Sequence, residues 1–319
     1  MPLAERALIA RIKRISGGAG RSVVRGIGDD CAVLRAKAGE ELVVTTDLSI
    51  EGTHFRREWH PADSVGHRCL ARGLSDIAAM GAEPGAAFLS LGLPAKLPQK
   101  WVDGFLDGLI RLAKRYNVTL AGGDIAESKA GVVADIMVVG SIPRGKAVLR
   151  SCALPGDIIY ATGALGGSAA VLGQLYSGKK VKPKSRMNTR HFYPEPRISL
   201  ARYLREKKLA TSMIDLSDGL STDLTHILEE SGGRKSLGAS IVADLVPISE
   251  GADLRLALHG GEDYELLFTA RKSARVPVEI AGVAVTELGW VTKERGMKLI
   301  DGKSKSGTLK ASGWEHFKF

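Results

Sequence analysis

The chain has 319 residues, comfortable for two domains, and its 44% hydrophobic and 25% charged residues are ordinary for a globular protein. No apolar run approaches the roughly 20 residues that span a bilayer, and charges interrupt residues 1–16, so neither a membrane partner nor a signal peptide is expected and a cytoplasmic location is. A net charge of +10 suits an anionic partner, yet the basic residues are scattered and the one dense cluster, residues 179–184, reads as a solvated loop. A phosphorylated small molecule is therefore expected, and nucleic acid is not.

In chain order, Leu8, Ile9, Ile12 and Ile15 predict one face of a short helix. Strands are predicted over 42–46, 86–91, 118–121 and 132–139, separated by helices over 61–80 and 98–116. In the second helix Trp101, Phe105, Leu106, Leu109 and Leu112 form an apolar stripe; Pro98 suits its first turn, and Gly81 closes the earlier helix. The pattern restarts around 144–157, with a strand over 158–162, a glycine-rich corner over 163–167 and a helix from Ser168. A strand over 212–216, a helix over 219–230 and strands over 239–242, 264–269 and 283–288 follow. This alternation implies an α/β (α+β type) protein in two domains, 1–150 and 151–319, with no internal repeat visible. Cys31, Cys69 and Cys152 lie far apart and are odd in number, so neither a disulfide frame nor a zinc site is expected.

Five stretches bring an aspartate to what reads as the end of an apolar run: Gly28-Asp29-Asp30, Thr45-Thr46-Asp47, Leu74-Ser75-Asp76, Gly122-Gly123-Asp124 and Asp215-Leu216-Ser217-Asp218. Carboxylates repel one another and are costly to desolvate, so a shared pocket needs compensating charge. Hard divalent cations, above all Mg²⁺, supply it, with phosphate oxygens completing the shell. Each stretch alone is an ordinary turn or cap. Asp215 to Asp218 is the strongest of them, because a strand-to-helix junction also welcomes anions. There is no Gly-x-x-x-x-Gly-Lys-Ser/Thr loop, so ATP would need another architecture.

Taken in order, these motifs resemble the thiamine-monophosphate kinase family, of the aminoimidazole ribonucleotide synthetase-like superfamily. The resemblance runs from Gly26-Ile27-Gly28-Asp29-Asp30 to Gly313-Trp314-Glu315-His316-Phe317, through Gly52-Thr53-His54-Phe55, the Leu74 to Ala82 stretch and Gly260-Gly261-Glu262-Asp263-Tyr264-Glu265-Leu266. It implies a two-domain fold whose N-terminal domain contributes strands to a barrel across a homodimer. It also implies a transferase of thiamine diphosphate biosynthesis, with several Mg²⁺ ions and ATP as co-substrate. Asp30, Thr45, Thr46, Asp47, Asp76, Asp124, Asp215 and Asp218 would hold magnesium. Gly123, Asp124, Arg150 and Ser217 would contact ATP, and His54, Glu262 and Trp314 the thiamine phosphate. Asp47, Asp124, Arg150 and Asp215 would carry catalysis. Ile125 and Glu51 depart from the family's usual residues. Selenophosphate synthetases and hydrogenase maturation proteins of the superfamily use reactive cysteines near a terminus, and this chain has none before Cys31 or at 316–319. The rival readings are another superfamily enzyme phosphorylating an amide or imidate, a non-catalytic nucleotide- or nucleic-acid-binding protein, and a two-metal phosphatase.

Overall fold

The computed structural model describes residue 3 and residues 5–16, 22–27, 32–35, 37–185, 188–233, 237–302 and 306–315. The described residues divide into two compact units, one drawn from 1–77, 82–145 and 192–194, the other from 78–81, 146–191 and 195–319. Among them, no helix is long and apolar enough to cross a membrane.

The first unit runs α1 (Glu5–Ser16), β1 (Val23–Arg25), β2 (Val33–Leu34), β3 (Glu40–Ile50), α2 (Ala62–Ala79), β4 (Glu83–Leu93), α3 (Gln99–Arg115), β5 (Thr119–Glu127) and β6 (Val133–Pro143). The last two residues of α2 fall in the second unit. Four strands form a sheet in the order β3-β6-β4-β5, in which only the β4–β5 pair is parallel. Strand alternation gives β3 two characters. Thr45, Asp47 and Ser49 are shielded, whereas Leu42, Val44, Thr46 and Leu48 are exposed. On α3 the predicted stripe is buried through Phe105, Leu106, Leu109 and Leu112. Helices α2 and α3 approach backbone to backbone: a methyl at Gly66 would lie 1.8 Å from the Phe105 carbonyl oxygen, and one at Gly108 would lie 1.8 Å from that of Asp63.

The second unit runs β7 (Ile158–Thr162), α4 (Gly167–Tyr176), α5 (Thr189–Phe192, its last residue falling in the first unit), α6 (Ile198–Glu206), β8 (Ala210–Asp215), α7 (Leu220–Gly232), β9 (Gly238–Val242), α8 (Leu254–His259), β10 (Leu266–Ala270), β11 (Glu279–Ile280), β12 (Val283–Thr292), β13 (Gly296–Ile300) and β14 (Ser306–Leu309). Its sheet has the order β14-β13-β9-β12-β7-β10-β8, with β11 beside β12. Helix α7 buries Leu224, Ile227 and Leu228 in a core shared with Ile159, Ile214 and Leu267.

Two of the acidic stretches differ from the sequence reading, and a third, at Asp76, lies near the end of its helix as expected. Thr45-Thr46-Asp47 lies inside β3, which continues to Ile50, and Gly122-Gly123-Asp124 lies inside β5, which continues to Glu127. Asp76 sits within the last turn of α2. Polar and glycine residues look like turn signals in isolation, but pairing partners along β6 and β4 keep both strands going. Among the described stretches, only Asp215 to Asp218 occupies a strand-to-helix junction, between β8 and α7.

Candidate active site

The inner face of β3 meets α2 through polar groups. The Thr45 hydroxyl donates to an Asp76 carboxylate oxygen, and the Arg72 guanidinium lies 3.3 Å from Asp47. Burial pushes the Asp47 carboxyl up to about 7; Arg72 opposes the rise and Asp76 adds to it. The cluster brings two acids and one hydroxyl together with the Arg72 guanidinium. Arg72 lies four residues before Asp76, one helical turn away, a spacing visible in the sequence but not used there. Thr46 alternates to the opposite, exposed face, so its hydroxyl does not join this group.

Asp124 is not part of it. By register Asp47 faces Ile136, Ile136 faces Leu89, and Leu89 faces Gly123. Asp124 therefore stands three strand spacings from Asp47, about 14 Å. One ion with metal–oxygen bonds of about 2.1 Å cannot serve both. Gly123 has φ +145°, and a Cβ there would meet the Leu89 carbonyl oxygen at 1.9 Å, so only glycine fits. Beside it a cavity of ≈ 560 Å³ is lined by Gly122, Gly123, Asp124, Ile125, Phe88 and Ile27 among others. Ile125, one of the two departures, contributes an apolar wall there.

His54 occupies the turn after β3, where its Nδ1 accepts from the Ile50 amide at 3.1 Å. That bond leaves Nε2 as the proton-bearing nitrogen of the neutral ring. Glu51, the other departure, accepts from Arg57 and from the Val132 amide, the latter at 2.8 Å, and so ties the end of β3 to the start of β6. Asp30 lies outside the described residues.

In the second unit Asp215 ends β8, buried, and Ser217 and Asp218 form the turn into α7. Gly219 caps the helix with φ +112°, in space bounded by the His259 and Gly260 backbone. Asp223, one turn into α7, accepts from the Gly219 amide at 3.0 Å and the Asp218 amide at 3.2 Å, satisfying two orphan helix-start donors. Burial, then the charges of Asp215 and Asp218, push its carboxyl up to about 8. Asp218, Asp223 and His226 each aim a donor atom within 4.8 Å of the others. Neither Asp223 nor His226 was anticipated, although their i, i+3 spacing on a helix marks a shared face.

A cleft of ≈ 330 Å³ opens beside them, lined by Asp218, Thr222, Thr225, His226, Trp314 and Glu315, with Ala311 and Gly313 completing it. The C-terminal segment is pinned there, the Trp314 amide donating to the Asp218 carbonyl at 3.0 Å and that of Gly313 to Thr222 Oγ1 at 3.0 Å. The Trp314 side chain remains exposed. Glu262, in the left-handed region at φ +64°, donates its amide to the Ser217 carbonyl at 2.8 Å, which brings its loop against the same turn. Arg150 is exposed, and its carbonyl accepts from Ser231 near the far end of α7. Eleven residues of helix, about 17 Å, separate Ser231 from Leu220. The structure therefore gathers Asp215, Ser217, Asp218, Glu262 and Trp314 around one helix start, and anchors Arg150 away from it.

The rest of the Gly260 to Leu266 motif is scaffolding. Asp263 accepts from the Gly166 and Ser168 amides at 2.6 and 3.3 Å and holds the start of α4. Burial nonetheless pushes its carboxyl up to about 7. Glu265, fully buried, accepts from Arg197 Nε at 2.7 Å, Arg190 at 2.9 Å and the Thr162 hydroxyl at 2.6 Å. Such bidentate, charge-assisted bonding compensates its burial.

The profile of the family described as AIR synthase related protein, N-terminal domain, matches residues 28–142. The thiamine-monophosphate kinase of Escherichia coli strain K12 is 39% identical over 334 aligned positions, covering 99% of each chain. Among solved structures, the thiamine-monophosphate kinase of Stenotrophomonas maltophilia K279a superposes with a TM-score of 0.82 at 34% identity, over 94% of this chain and 97% of that one. The AaThiL complex with AMPPCP and TMP superposes with a TM-score of 0.77 at 30% identity, over 99% and 97%.

Proposed function

We propose the activity from family membership: the chain belongs to the thiamine-monophosphate kinase family, and it transfers the γ-phosphoryl group of ATP to thiamine monophosphate, giving ADP and thiamine diphosphate. The observation that carries this is the end-to-end match to kinases of that name. A phosphate oxygen of the acceptor attacks the γ-phosphorus in line, the bond to the β-phosphate oxygen breaks, and ADP leaves. The acceptor's second pKa is about 6, so it arrives ionised and needs no strong base. Neither a phospho-enzyme nor a protein nucleophile is required. The chain's task is to hold two polyanions and offset their repulsion.

In the first unit, Thr45, Asp47 and Asp76 offer only oxygen donors around a carboxyl that burial holds near 7. That donor set fits Mg²⁺. We assign to magnesium these residues together with Asp30, Thr46 and Asp124, the last as a separate position. In the second unit we assign it Asp215 and Asp218. Magnesium held there would supply positive charge that offsets the repulsion between the two phosphorylated substrates. Gly123, Asp124, Arg150 and Ser217 are assigned to ATP; Gly123 leaves bare backbone for a phosphate chain to approach. His54, Glu262 and Trp314 are assigned to thiamine phosphate. Trp314 offers an aromatic face to its cationic thiazolium ring, and Glu262 a carboxylate to its aminopyrimidine. Asp47, Asp124, Arg150 and Asp215 are the catalytic set.

Leu42, Val44 and Leu48 form an exposed apolar row on β3, roughly half accessible each. We propose that a second copy covers it, as in a barrel completed by two chains. The free thiols of Cys69 and Cys152 agree with a cytoplasmic location. The test is incubation of purified protein with ATP, Mg²⁺ and thiamine monophosphate, with thiamine in a parallel reaction. Thiamine diphosphate in the first reaction is expected; activity on unphosphorylated thiamine alone refutes the substrate assignment.

A further inference from the structure

The segment that carries Trp314 is fastened to the first turn of α7 by three consecutive main-chain amides. Ser312 donates to Ser221 Oγ at 3.3 Å, Gly313 to Thr222 Oγ1 at 3.0 Å and Trp314 to the Asp218 carbonyl at 3.0 Å. A methyl at Gly313 would lie 2.1 Å from the Asp218 carbonyl oxygen and 2.6 Å from Thr222 Oγ1, so the main chain itself rests on the turn. Ser221 is fully buried, and its hydroxyl, having accepted the Ser312 amide, gives its one proton to His259 Nδ1 at 2.8 Å. Burial, then the charge of Arg255, holds the His259 pKa below its usual range, which keeps that ring neutral and able to accept. Upstream, Leu309 at the end of β14 is buried in the core of the second unit. Yet the side chain at the end of this fastening, Trp314, is 54% exposed on the wall of the ≈ 330 Å³ cleft. Fixing the main chain so closely therefore serves the position of the ring more than the packing of a core.

We propose that Ser221 and Thr222 are positioning residues for the acceptor: their hydroxyls latch residues 312–314 onto α7 and so set where Trp314 presents its ring to thiamine phosphate. The inference rests on the kinase reading, in which Trp314 meets the thiazolium ring. A cation gains from an aromatic face only when it sits over the ring within about 6 Å, and a ring already held there is not ordered at the expense of binding. Loosening the latch weakens the hold on the acceptor and leaves the phosphoryl-transfer step itself untouched, so the effect falls on KM rather than kcat.

The test is steady-state kinetics of the full-length protein with ATP, Mg²⁺ and thiamine monophosphate, comparing wild type with Thr222→Val, Thr222→Ser, Gly313→Ala and Trp314→Ala. Thr222→Val keeps the shape of the side chain and removes the acceptor oxygen, Thr222→Ser keeps the oxygen, and Gly313→Ala lifts the segment from its own side; unchanged circular dichroism checks folding. The KM for thiamine monophosphate is expected to rise about threefold to tenfold in Thr222→Val and in Gly313→Ala, the range of one lost hydrogen bond. The KM for ATP and kcat are expected to stay within about twofold, and Thr222→Ser to restore the wild-type KM. Added to Trp314→Ala, Thr222→Val is expected to raise KM by less than about twofold more, because the ring through which it acts is gone. An unchanged KM in both Thr222→Val and Gly313→Ala overturns the proposal, and so does a full further rise in the Trp314→Ala background. A wild type that makes no thiamine diphosphate refutes the kinase reading and this role together, whereas an active wild type with unaltered variants overturns the positioning role alone.

Discussion

At the residue scale, the Asp47 carboxyl and its neighbours make the most specific predictions. Asp47→Asn keeps the shape of the side chain but removes the charge that a cation would use, and turnover of thiamine monophosphate is expected to fall below about 1% of wild type. The acceptor assay measures this directly. The pH behaviour follows from the same group. Its folded pKa stands near 7 against an ordinary 3.8, so the stability associated with its neutral form is full at low pH and is lost as pH rises through about 7. Cations compete with that proton. The rise in melting temperature on adding Mg²⁺ is therefore expected to be larger at pH 8 than at pH 6, and to shrink in Asp47→Asn. Differential scanning fluorimetry across that range checks both; a Mg²⁺ response independent of pH would contradict the assignment. Glu265 makes a structural prediction instead. Truncation in Glu265→Ala strands two guanidinium partners and is expected to cost about 3–5 kcal/mol in urea unfolding, whereas Arg190→Ala removes only the more exposed of the two arms and costs less.

At the scale of elements, the crossing of α2 and α3 depends on the absence of side chains at Gly66 and Gly108. An alanine in mid-helix normally gains about 1 kcal/mol over glycine. At Gly108 its methyl would sit 1.8 Å from the Asp63 carbonyl oxygen, inside any tolerable contact, and must push the helices apart. Overpacking of this kind costs about 1–3 kcal/mol, so Gly108→Ala is expected to lower the melting temperature despite its better helix propensity. Much of this framework was legible in the sequence. The strand 158–162 and the helices 61–80 and 98–116 announce themselves through alternation or a 3.6-residue stripe, and the structure gives Ile158–Thr162, Ala62–Ala79 and Gln99–Arg115. Helix α6 and strands β13 and β14 were missed. Nine or fewer residues carry little periodicity, and β13 follows the charged run Lys293-Glu294-Arg295, which reads as loop. In the candidate site, the residue types that bear chemistry were readable. Their neighbours were not: Arg72 meets Asp47 through strand register against a helix, and Asp223 meets Asp218 through the fold of a helix start. Spacing along the chain records neither contact.

At the scale of the whole molecule, the exposed row on β3 has a measurable consequence. On the proposed pairing of two copies, the wild-type protein is expected to elute with twice the chain mass in light scattering, and Val44→Glu, which places a charge in the centre of the row, is expected to elute as a monomer with its thermal stability little changed. The division into two units carries another. The first unit is completed by residues 192–194, far along the chain from the rest of it. Phe192, fully buried, lies with its ring centroid 5.3 Å from that of His60, the Tyr193 hydroxyl donates to Asp63 at 3.1 Å, and His67 donates to the Pro194 carbonyl at 2.8 Å. On the ribosome, then, the N-terminal half cannot finish its packing until synthesis has passed Pro194. A nascent polypeptide halted near residue 150 is expected to remain sensitive to protease, and one released well beyond Pro194 to acquire resistance in this region.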